Sequence, residues 1–558
     1  MQINPITVEV IRNAINAYAD EMAIALCKSA YNMMIFEVRD FCCGLLDAEG
    51  RMISQNKGGL PIFLADLGIA VKDGIQRYGL DGFQPGDVII MNHGQVCGQH
   101  LNNVAVYAPC FHNGKVVAFA ANRAHWADIG GTRLGFGSVA TTDIFQEGLQ
   151  FRSIKAYEGG KRNETLWQII HDNLRFPEAA LGDLRAQVAS CQLGIRRYTE
   201  LLGRYGQETT EAAIHTIWDI AEKETQAFVE KLPDGTYEAE TLLDNDGRNL
   251  DKRLRIKIRV IINGAKMVVD FSDINEQVPG PMNSGYSGGL AAARVAFKYL
   301  TQPRAPVNEG SFRALEVILP EGKIVNAKPP AAIGLWSVAL PTVVETILKT
   351  LADVLPDRIP AGHKGDMGGC SMSGFREDNG RRFLLMNIFG GGWGGRPYED
   401  GVSGAVSICQ GDVRNAPVEL QEIQYPVRAE RFELRQDSGG AGKFRGGLGV
   451  DLTYIALQKA IANVNCERTS DPPYGLHGGH PGMPNRGVLR RHGSNAEQVL
   501  LKSTDVVLHA GDRLSFQTGG GGGWGDPRDR KREDIERDIL DGYISLEAAR
   551  HDYGYEPL

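Results

Sequence analysis

Two histidines, His100 and His125, stand at either end of one short segment of the chain, and each has a polar neighbour that could bind a cation. Asn103 follows the first histidine and Asp128 follows the second. Neutral imidazole nitrogens, an oxygen donor and an open water position are the usual composition of a catalytic zinc or similar divalent site. The pattern indicates either such a metal site or a hydrogen-bonded pair of histidines without a metal.

A β-hairpin is the element that would bring these histidines together. Two apolar, β-prone runs, NVAVYAPCF and KVVAFAANR, flank Asn113-Gly114, and Asn-Gly between such runs is the strongest short-range hairpin signal. Counting back along both strands from a two-residue turn predicts that Asn103 lies opposite Ala124. Opposed residues have Cβ atoms about 4.5–5.5 Å apart, so the open end of the hairpin would gather both imidazoles.

Hydrophobic periodicity predicts the elements that frame the hairpin. Apolar residues at near 3.6-residue spacing predict a long amphipathic helix over 5–34, and Pro5 suits its first turn. The same criterion predicts further helices over 64–78, 163–230, 287–300, 336–354, 531–540 and 545–551. Because β-prone runs fill most of the remainder, we expect an α+β fold with large mixed, mainly antiparallel sheets, glycine-rich β corners and C-terminal helices.

The length of 558 residues suggests three or four units. Shifts in pattern along the chain predict where they divide. The expected units are an N-terminal α/β domain with the candidate metal site (1–162), a helical segment (163–232), a β-rich domain with inserted helices (233–525) and a C-terminal helical tail (526–558).

Composition excludes several classes of function. Sixty Lys and Arg against 68 Asp and Glu give a net charge of −8, and the basic residues form no stripe, which argues against nucleic acid as a partner. No segment approaches the roughly 18 consecutive apolar residues that span a bilayer, so we expect no membrane partner and a cytoplasmic location. The nine cysteines form no CxxC pair and are expected to be reduced thiols.

Glycine is unusually frequent, with 68 residues. This is about 12% of the chain, against a typical value of about 7%. The excess gathers in four runs that border apolar or β-rich sequence. They are 389–397, 438–449, 475–484 and 518–527. Such runs supply positive φ and close backbone approach, and therefore predict sharp corners between strands.

The histidine segments resemble motifs of the hydantoinase B / oxoprolinase family. GQHLNN (98–103) is similar to the family's GTHLPD, NRAHWADIGG (122–131) to NRAHHADIGG, and EVRDFCCGLLD (37–47) to ERRDFSCALFD. Further similar segments cover nearly the whole chain, at 147–161, 307–332, 474–482, 511–527 and 548–554. The family comprises the large metal-carrying subunits of ATP-dependent hydantoinases, 5-oxoprolinases and caprolactamase, with acetone and acetophenone carboxylases as distant relatives.

Carried over position by position, the resemblance implies metal ligands at His100, Asn103 and His125, with Asp40 as a further acidic ligand or base. Asn103 departs from the family, which has a carboxylate there. A neutral oxygen beside a divalent cation should weaken its binding and alter the acidity of a bound water. Either Asp40 or Asp128 would compensate, or the preferred ion or the chemistry differs. Both aspartates are candidate catalytic groups.

Four other positions near these motifs are less specific. The second histidine of the family motif is Trp126 here. Glu37 and Glu147 are candidate catalytic carboxylates, but each would also suit a structural salt bridge or cap. His93 is a candidate substrate contact or an exposed loop histidine.

The function that the resemblance implies is the ATP-dependent opening of a hydantoin, oxoproline or lactam ring by a metal-dependent hydrolase subunit. The metal would be zinc, with manganese and iron as alternatives. Two other functions stay open: a subunit of an ATP-dependent carboxylase acting on a ketone, and a scaffold subunit without metal.

A partner chain is implied because ATP has no evident site in this sequence. No GxxxxGK[ST] phosphate loop is present, and GGGGGWGDP lacks the lysine and hydroxyl residue that grip phosphates and magnesium. We therefore expect ATP and Mg²⁺ to be held by a hydantoinase A-type subunit in an (αβ)2 hetero-oligomer.

Overall fold

The computed structural model describes residues 3–135 and 138–557. Helices dominate the first half of this part of the chain and its C-terminal end, and strands dominate the rest. The α-helices are α1 (Pro5–Ser29), α2 (Met33–Phe36), α3 (Asp66–Tyr78), α4 (Gly94–Cys97), α5 (Glu164–Asn173), α6 (Pro177–Tyr205), α7 (Gln207–Val229), α8 (Tyr286–Thr301), α9 (Trp336–Lys349), α10 (Val418–Gln424), α11 (Arg532–Leu540) and α12 (Leu546–Tyr553).

The strands are short, and most of them pair with their neighbours in sequence. They are β1 (Phe41–Asp47), β2 (Met52–Gln55), β3 (Val88–Met91), β4 (Asn103–His112), β5 (Lys115–His125), β6 (Ile154–Glu158), β7 (Lys161–Arg162), β8 (Gly235–Leu243), β9 (Leu254–Asn263), β10 (Lys266–Asp270), β11 (Leu315–Ile318), β12 (Gly369–Phe375), β13 (Arg382–Ile388), β14 (Val427–Leu434), β15 (Val450–Ala456), β16 (Ala460–Asn465), β17 (Arg486–Arg490), β18 (Glu497–Leu500), β19 (Lys502–Leu508) and β20 (Arg513–Gln517).

These strands form four sheets in the described residues. Their orders are β2-β1-β5-β4-β3-β6-β7, β11-β10-β9-β8, β13-β12-β16-β19 and β14-β15-β20-β17-β18. The pairing of β10 with β11 is parallel, whereas the other pairings are antiparallel. The expected α+β class with mainly antiparallel sheets is confirmed.

The first helix ends earlier than its apolar pattern predicts. Asn4 caps its start through the Ile6 N–H (2.9 Å), and Pro5 occupies the first turn as expected. The helix stops at Ser29 because Asp183 from α6 accepts hydrogen bonds from the N–H groups of Tyr31 and Asn32 (2.7 and 3.1 Å). These bonds hold the chain extended, and only the short α2 follows.

The predicted hairpin is present, but its register differs by one residue. Asn113 and Gly114 both have positive φ (49° and 76°), as a tight turn of mirror-image type requires. A bulge near Cys110 then inserts one extra residue into β5, so Asn103 faces His125 rather than Ala124. The predicted register is wrong because it assumed an uninterrupted ladder, and a bulge leaves no periodic trace in the sequence.

The glycine-rich runs form a packed assembly in addition to the predicted corners between strands. The four runs pack against one another as extended backbone, and we call this assembly the glycine layer. Its central run, 518–527, bonds to each of the others. Representative bonds are Gly392 N to Gly519 O (2.9 Å), Gly440 N to Gly521 O (2.8 Å) and Gly523 N to His480 O (2.8 Å). A Cβ atom at most of these glycines would overlap the backbone of a neighbouring run.

The apolar core crosses the predicted unit boundaries. One cluster joins residues of the first sheet, such as Tyr107, to residues of α9, such as Trp336. The predicted division into four units stays a prediction. Among the described residues no helix is long and apolar enough to cross a membrane. The nine cysteines are free thiols, as expected, and all but Cys27 are buried.

Candidate active site

The two histidines of the sequence motif meet at the open end of the β4–β5 hairpin. His100 lies in the turn that leads from α4 into β4, and His125 is the last residue of β5. Their ring centroids are 5.0 Å apart and their planes are perpendicular. Trp336 from α9 packs edge-on against His100, with centroids 5.8 Å apart. Both histidines are buried, so the hairpin does gather the imidazoles as the sequence predicts.

Backbone hydrogen bonds on both sides fix the end of β5. The His125 N–H donates to the Asp40 carbonyl (3.1 Å), and the Asn32 amide donates to the His125 carbonyl (3.0 Å). The next residue, Trp126, donates its N–H to the Asn102 carbonyl (2.8 Å). The imidazole of His125 is thereby attached to a backbone that has little freedom to move.

Both imidazoles are held in their neutral form. Burial lowers the pKa of His100 to about 4, although the Gly334 carbonyl and the Asn103 side chain oppose the shift. Burial, followed by the nearby His100, lowers the pKa of His125 well below its ordinary value. Near pH 7 both rings therefore keep an unprotonated nitrogen, which is the form that binds a metal or accepts a proton.

The orientation of His100 is set by a contact from a distant part of the chain. Its Nδ1 lies 3.3 Å from the Gly334 carbonyl, which can only accept, so Nδ1 carries the proton and Nε2 keeps its lone pair. Glu147 Oε1 accepts from the N–H groups of Ile333 and Gly334 (3.0 and 2.8 Å). Glu147 thus anchors the turn that orients His100.

Asn103 is an oxygen donor beside the histidine pair. It lies directly opposite His125 in the hairpin, and its amide nitrogen donates to Gln99 Oε1 (2.9 Å). Its Oδ1 is buried and completes no hydrogen bond of normal geometry with the residues that the structure describes. The same Gln99 oxygen accepts from Arg123 (3.0 Å). Sequence reasoning missed Gln99 and Arg123, because neither residue type suggests a ligand or a base.

Asp40 is buried immediately before β1. Burial raises the pKa of its carboxyl to about 7, and Oδ1 makes no hydrogen bond to any described residue. Its backbone carbonyl receives the His125 N–H. Within residues 3–135 and 138–557, no three His, Cys, Asp or Glu side chains form a group that could hold a metal ion, so Asp40 does not complete such a group with the two histidines.

The remaining candidates have other surroundings. Arg175 engages both oxygens of Asp128, with its N–H on Oδ2 and its Nη2 on Oδ1 at 2.5 Å each. Trp126 is fully buried and donates to Gln187 on α6 (2.8 Å). Glu37 directly follows α2, and His93 directly precedes α4 without a capping hydrogen bond from its side chain. Asp128 and Trp126 are thus engaged by partners other than the histidine pair.

A cation bound by neutral ligands is compatible with the residues present. Two unprotonated imidazoles and the buried Asn103 oxygen would supply three neutral donors. Donors of this kind suit zinc, and also manganese or iron. The residues therefore fit the divalent metal that the sequence resemblance implies, with Asn103 Oδ1 available as an oxygen donor.

A narrow cavity of about 30 Å³ opens beside His100, with room for a water molecule or two. Thr141, Gln146, Glu147 and Gly334 contribute to its walls. Two much larger clefts, of about 830 and 890 Å³, run along α1 and contain neither histidine. Of these three spaces, the small cavity is the one that a histidine of the pair lines, namely His100.

The fold and this site define a class of protein: a large α+β chain that buries a neutral imidazole pair at the end of a hairpin, with a perturbed carboxyl at the start of the neighbouring strand. The chain belongs to the hydantoinase B/oxoprolinase family, whose model matches residues 4–527. The family expected from the sequence motifs is confirmed.

Individual relatives cover the chain almost completely. The putative B-type subunit of a D-/L-hydantoinase from Pseudomonas sp. (strain NS671) is 32% identical, over 99% of this chain and 95% of its own length. The beta chain of the caprolactamase from Pseudomonas jessenii is 29% identical, over 99% of this chain and 96% of its own.

Solved structures share the fold. The crystal structure of the ATP-dependent caprolactamase from Pseudomonas jessenii matches 99% of this chain and 96% of its own, with a TM-score of 0.93 and 29% identity. A nucleotide-free acetone carboxylase structure matches 99% of this chain and 79% of its own, with a TM-score of 0.88. At 18% identity the second likeness shows a common fold only.

Proposed function

We propose that this chain is the hydrolytic subunit of an ATP-dependent enzyme that opens cyclic amides. The observation that carries the proposal is the buried pair of neutral imidazoles, 5.0 Å apart, in a chain that is 32% identical to a putative hydantoinase subunit and 29% identical to a caprolactamase subunit. The substrate class is a hydantoin, oxoproline or lactam ring.

A divalent metal is part of the proposal. His100 Nε2, His125 and Asn103 Oδ1 would hold the ion, since all three side chains are buried and the two rings are neutral. When bound, such an ion lowers the pKa of a coordinated water and so supplies a nucleophile at neutral pH. The chain itself holds both imidazoles neutral and fixes the His100 tautomer through Gly334, and a cavity of about 30 Å³ borders His100.

Asp40 is the proposed proton acceptor. Its Oδ1 is buried without a hydrogen-bond partner among the described residues, and its pKa of about 7 suits a group that takes up and releases a proton near neutral pH. Asp128 is less suited to this role because Arg175 occupies both of its oxygens. We therefore assign the base to Asp40 rather than to Asp128.

ATP is needed because an unstrained amide carbonyl is a poor electrophile. Phosphorylation of the carbonyl oxygen would make the carbon reactive, and this chain has no phosphate-loop motif to bind ATP. The relatives are named as the B-type and beta members of multi-subunit enzymes, which supports an A-type partner that binds ATP and Mg²⁺. We propose an (αβ)2 assembly with that partner.

The test is co-purification with the A-type partner, followed by an ADP-release screen over hydantoins, oxoproline and lactams, with ketones plus labelled bicarbonate as a separate arm. His100→Ala and His125→Ala should each abolish ring opening and remove a stoichiometric divalent ion measured by elemental analysis. His171→Ala, at an exposed histidine, is the matched control and should retain both. Carboxylated product would favour the ketone carboxylase instead, and a metal-free, histidine-independent complex would favour a scaffold.

A further inference from the structure

Gln99 contacts the Asn103 side chain and is fully buried. Its Oε1 is shared by two donors, the Asn103 amide nitrogen at 2.9 Å and Arg123 Nη1 at 3.0 Å. Arg123 is itself fully buried and lies 3.7 Å from Asp66, with Nη2 on Cys97 Sγ at 3.0 Å. A buried guanidinium held at several points is a rigid support.

The shared Gln99 oxygen determines the orientation of the Asn103 amide, because each donor must face an acceptor. A guanidinium has donors and no acceptor, so the Gln99 atom that faces Arg123 must be its oxygen. The Asn103 atom that faces the same oxygen must then be its nitrogen, and Oδ1 is left on the opposite branch of the amide, against the His100 ring. Reversing the Asn103 amide would place two acceptors in contact.

We propose that Gln99 and Asn103 are a matched pair: Gln99 is the positioning residue that presents Asn103 Oδ1 to the imidazoles, and a carboxylate at position 103 is disfavoured unless residue 99 changes as well. The part of this inference that concerns a bound cation rests on the proposed function.

A carboxylate at position 103 is disfavoured because it has no hydrogen to donate to Gln99 Oε1. With Gln99 as it stands, an aspartate at 103 would place one acceptor oxygen against another, Gln99 Oε1. If the Gln99 amide rotated to donate to the aspartate, its nitrogen would face the Arg123 N–H, which is also a donor. One buried contact is therefore lost in either case. Threonine at 99 removes the conflict, because its shorter side chain no longer places an acceptor oxygen against residue 103 and its hydroxyl is a donor as well as an acceptor. If a divalent ion were bound here, the neutral Asn103 oxygen would leave its charge uncompensated at this position.

The pairing is tested first without metal. Thermal unfolding midpoints are measured in EDTA for the full chain and for Asn103→Asp, Gln99→Thr and the double variant. Asn103→Asp alone should lower the midpoint by several degrees, whereas the same change in the Gln99→Thr background should leave it level or raise it. An equal loss in both backgrounds would overturn the pairing.

Positioning is tested with Co²⁺ as a spectroscopic probe. Gln99→Met removes the acceptor at nearly constant volume and should weaken Co²⁺ binding about 10- to 100-fold and change its visible spectrum, whereas Gln99→Glu keeps the acceptor and should restore both. Gln410→Met is the matched control, since Gln410 is equally buried and accepts from the Ser407 N–H (2.8 Å) elsewhere in the chain. It should lower the unfolding midpoint without altering the Co²⁺ spectrum.

The outcomes separate this inference from the proposed function. A folded Gln99→Met chain that binds Co²⁺ like the unaltered chain, with an identical spectrum, overturns the positioning role. An unaltered chain that binds no Co²⁺ overturns both that role and the metal in the proposed function, and the EDTA measurements still decide the pairing.

Discussion

At the scale of single residues, the candidate site is made by polar atoms with unused bonding capacity. Among the described residues, Asp40 Oδ1 and Asn103 Oδ1 are buried without normal hydrogen bonds. His100 keeps the lone pair of Nε2 because its proton is on Nδ1, which donates to the Gly334 carbonyl. Buried polar atoms are satisfied in most native structures, so such exceptions mark places where a ligand or water is expected. Asp128 is the counter-example, since Arg175 donates to both of its oxygens.

Glu147 is expected to act through His100 and not on substrate. Replacing Glu147 by Ala leaves the N–H groups of Ile333 and Gly334 without their acceptor, which should cost about 2–4 kcal/mol of unfolding free energy and reduce kcat about 10- to 100-fold as His100 loses its support. Kinetics of the assembled complex and thermal unfolding measure both effects.

Glu147→Gln is the control, because the amide keeps an oxygen at the same place. It should stay within about 1 kcal/mol of the unaltered chain. If the glutamine variant were as impaired as the alanine variant, the charge of Glu147 would matter rather than its hydrogen bonds.

At the scale of elements, the site depends on where helices and strands stop. The bulge near Cys110 shifts the hairpin by one residue and turns Asn103 toward His125. The end of α1 is equally decisive, since the Asn32 that follows it supports the His125 carbonyl. Asp183 on α6 enforces that end by accepting two backbone N–H groups.

Asp183 should make stability depend on pH. Burial raises its pKa to about 7, above the value of about 3.9 for an unfolded aspartate. Between these values the folded chain binds more protons than the unfolded chain, so the free energy of unfolding decreases as pH rises from 4 to 7 and levels off above 7. We expect Asp183→Asn, which keeps the accepting oxygen, to remove roughly 2–4 kcal/mol of this decrease.

The measurement is the thermal midpoint of both chains at pH 5 and pH 7.5. Asp183→Asn should be the more stable of the two at the higher pH and should lose its advantage at the lower pH. Identical pH profiles for the two chains would contradict the assignment.

At the scale of the whole molecule, direct backbone contacts between glycine runs hold the C-terminal half together. The central run of the glycine layer touches the other three, so residues more than 100 positions apart in sequence, such as Gly392 and Gly519, are hydrogen-bonded. The buried ion pairs Lys502–Glu467 and Arg468–Glu345 lie in this half as well. Burying these charges costs free energy, which their contacts with each other must offset. The arrangement of the chain that pairs them is therefore favoured.

Substitution inside the glycine layer should be severe. The Cβ atom of Gly521→Ala would overlap the Trp393 carbonyl, with no flexible side chain to yield, so we expect a loss of more than about 4 kcal/mol of unfolding free energy. Gly203→Ala is the control: this helical glycine has open space around it and should gain about 0.5–1 kcal/mol. Soluble yield and thermal unfolding compare them, and a well-folded Gly521→Ala chain would refute close backbone packing.

The sequence by itself determined whatever depends on neighbours along the chain. The Asn113-Gly114 turn, the positions of the long helices, the free cysteines and the family motifs were predicted correctly, because periodicity and turn chemistry are local. The helix ends were predicted less well, since α1 stops at Ser29 and the stretch 163–230 divides into three helices. It also identified the two histidines, since the hairpin that joins them is a local element.

Only the tertiary structure decided which polar atoms meet. The bulge, the Gly334 contact to His100, the Arg175 partner of Asp128 and the Gln99–Arg123 support join residues through packing between separate elements. Many pairings of similar polar residues are compatible with one hydrophobic pattern. Which pairing forms depends on how the elements pack in the core and on which buried polar groups then need a hydrogen-bond partner.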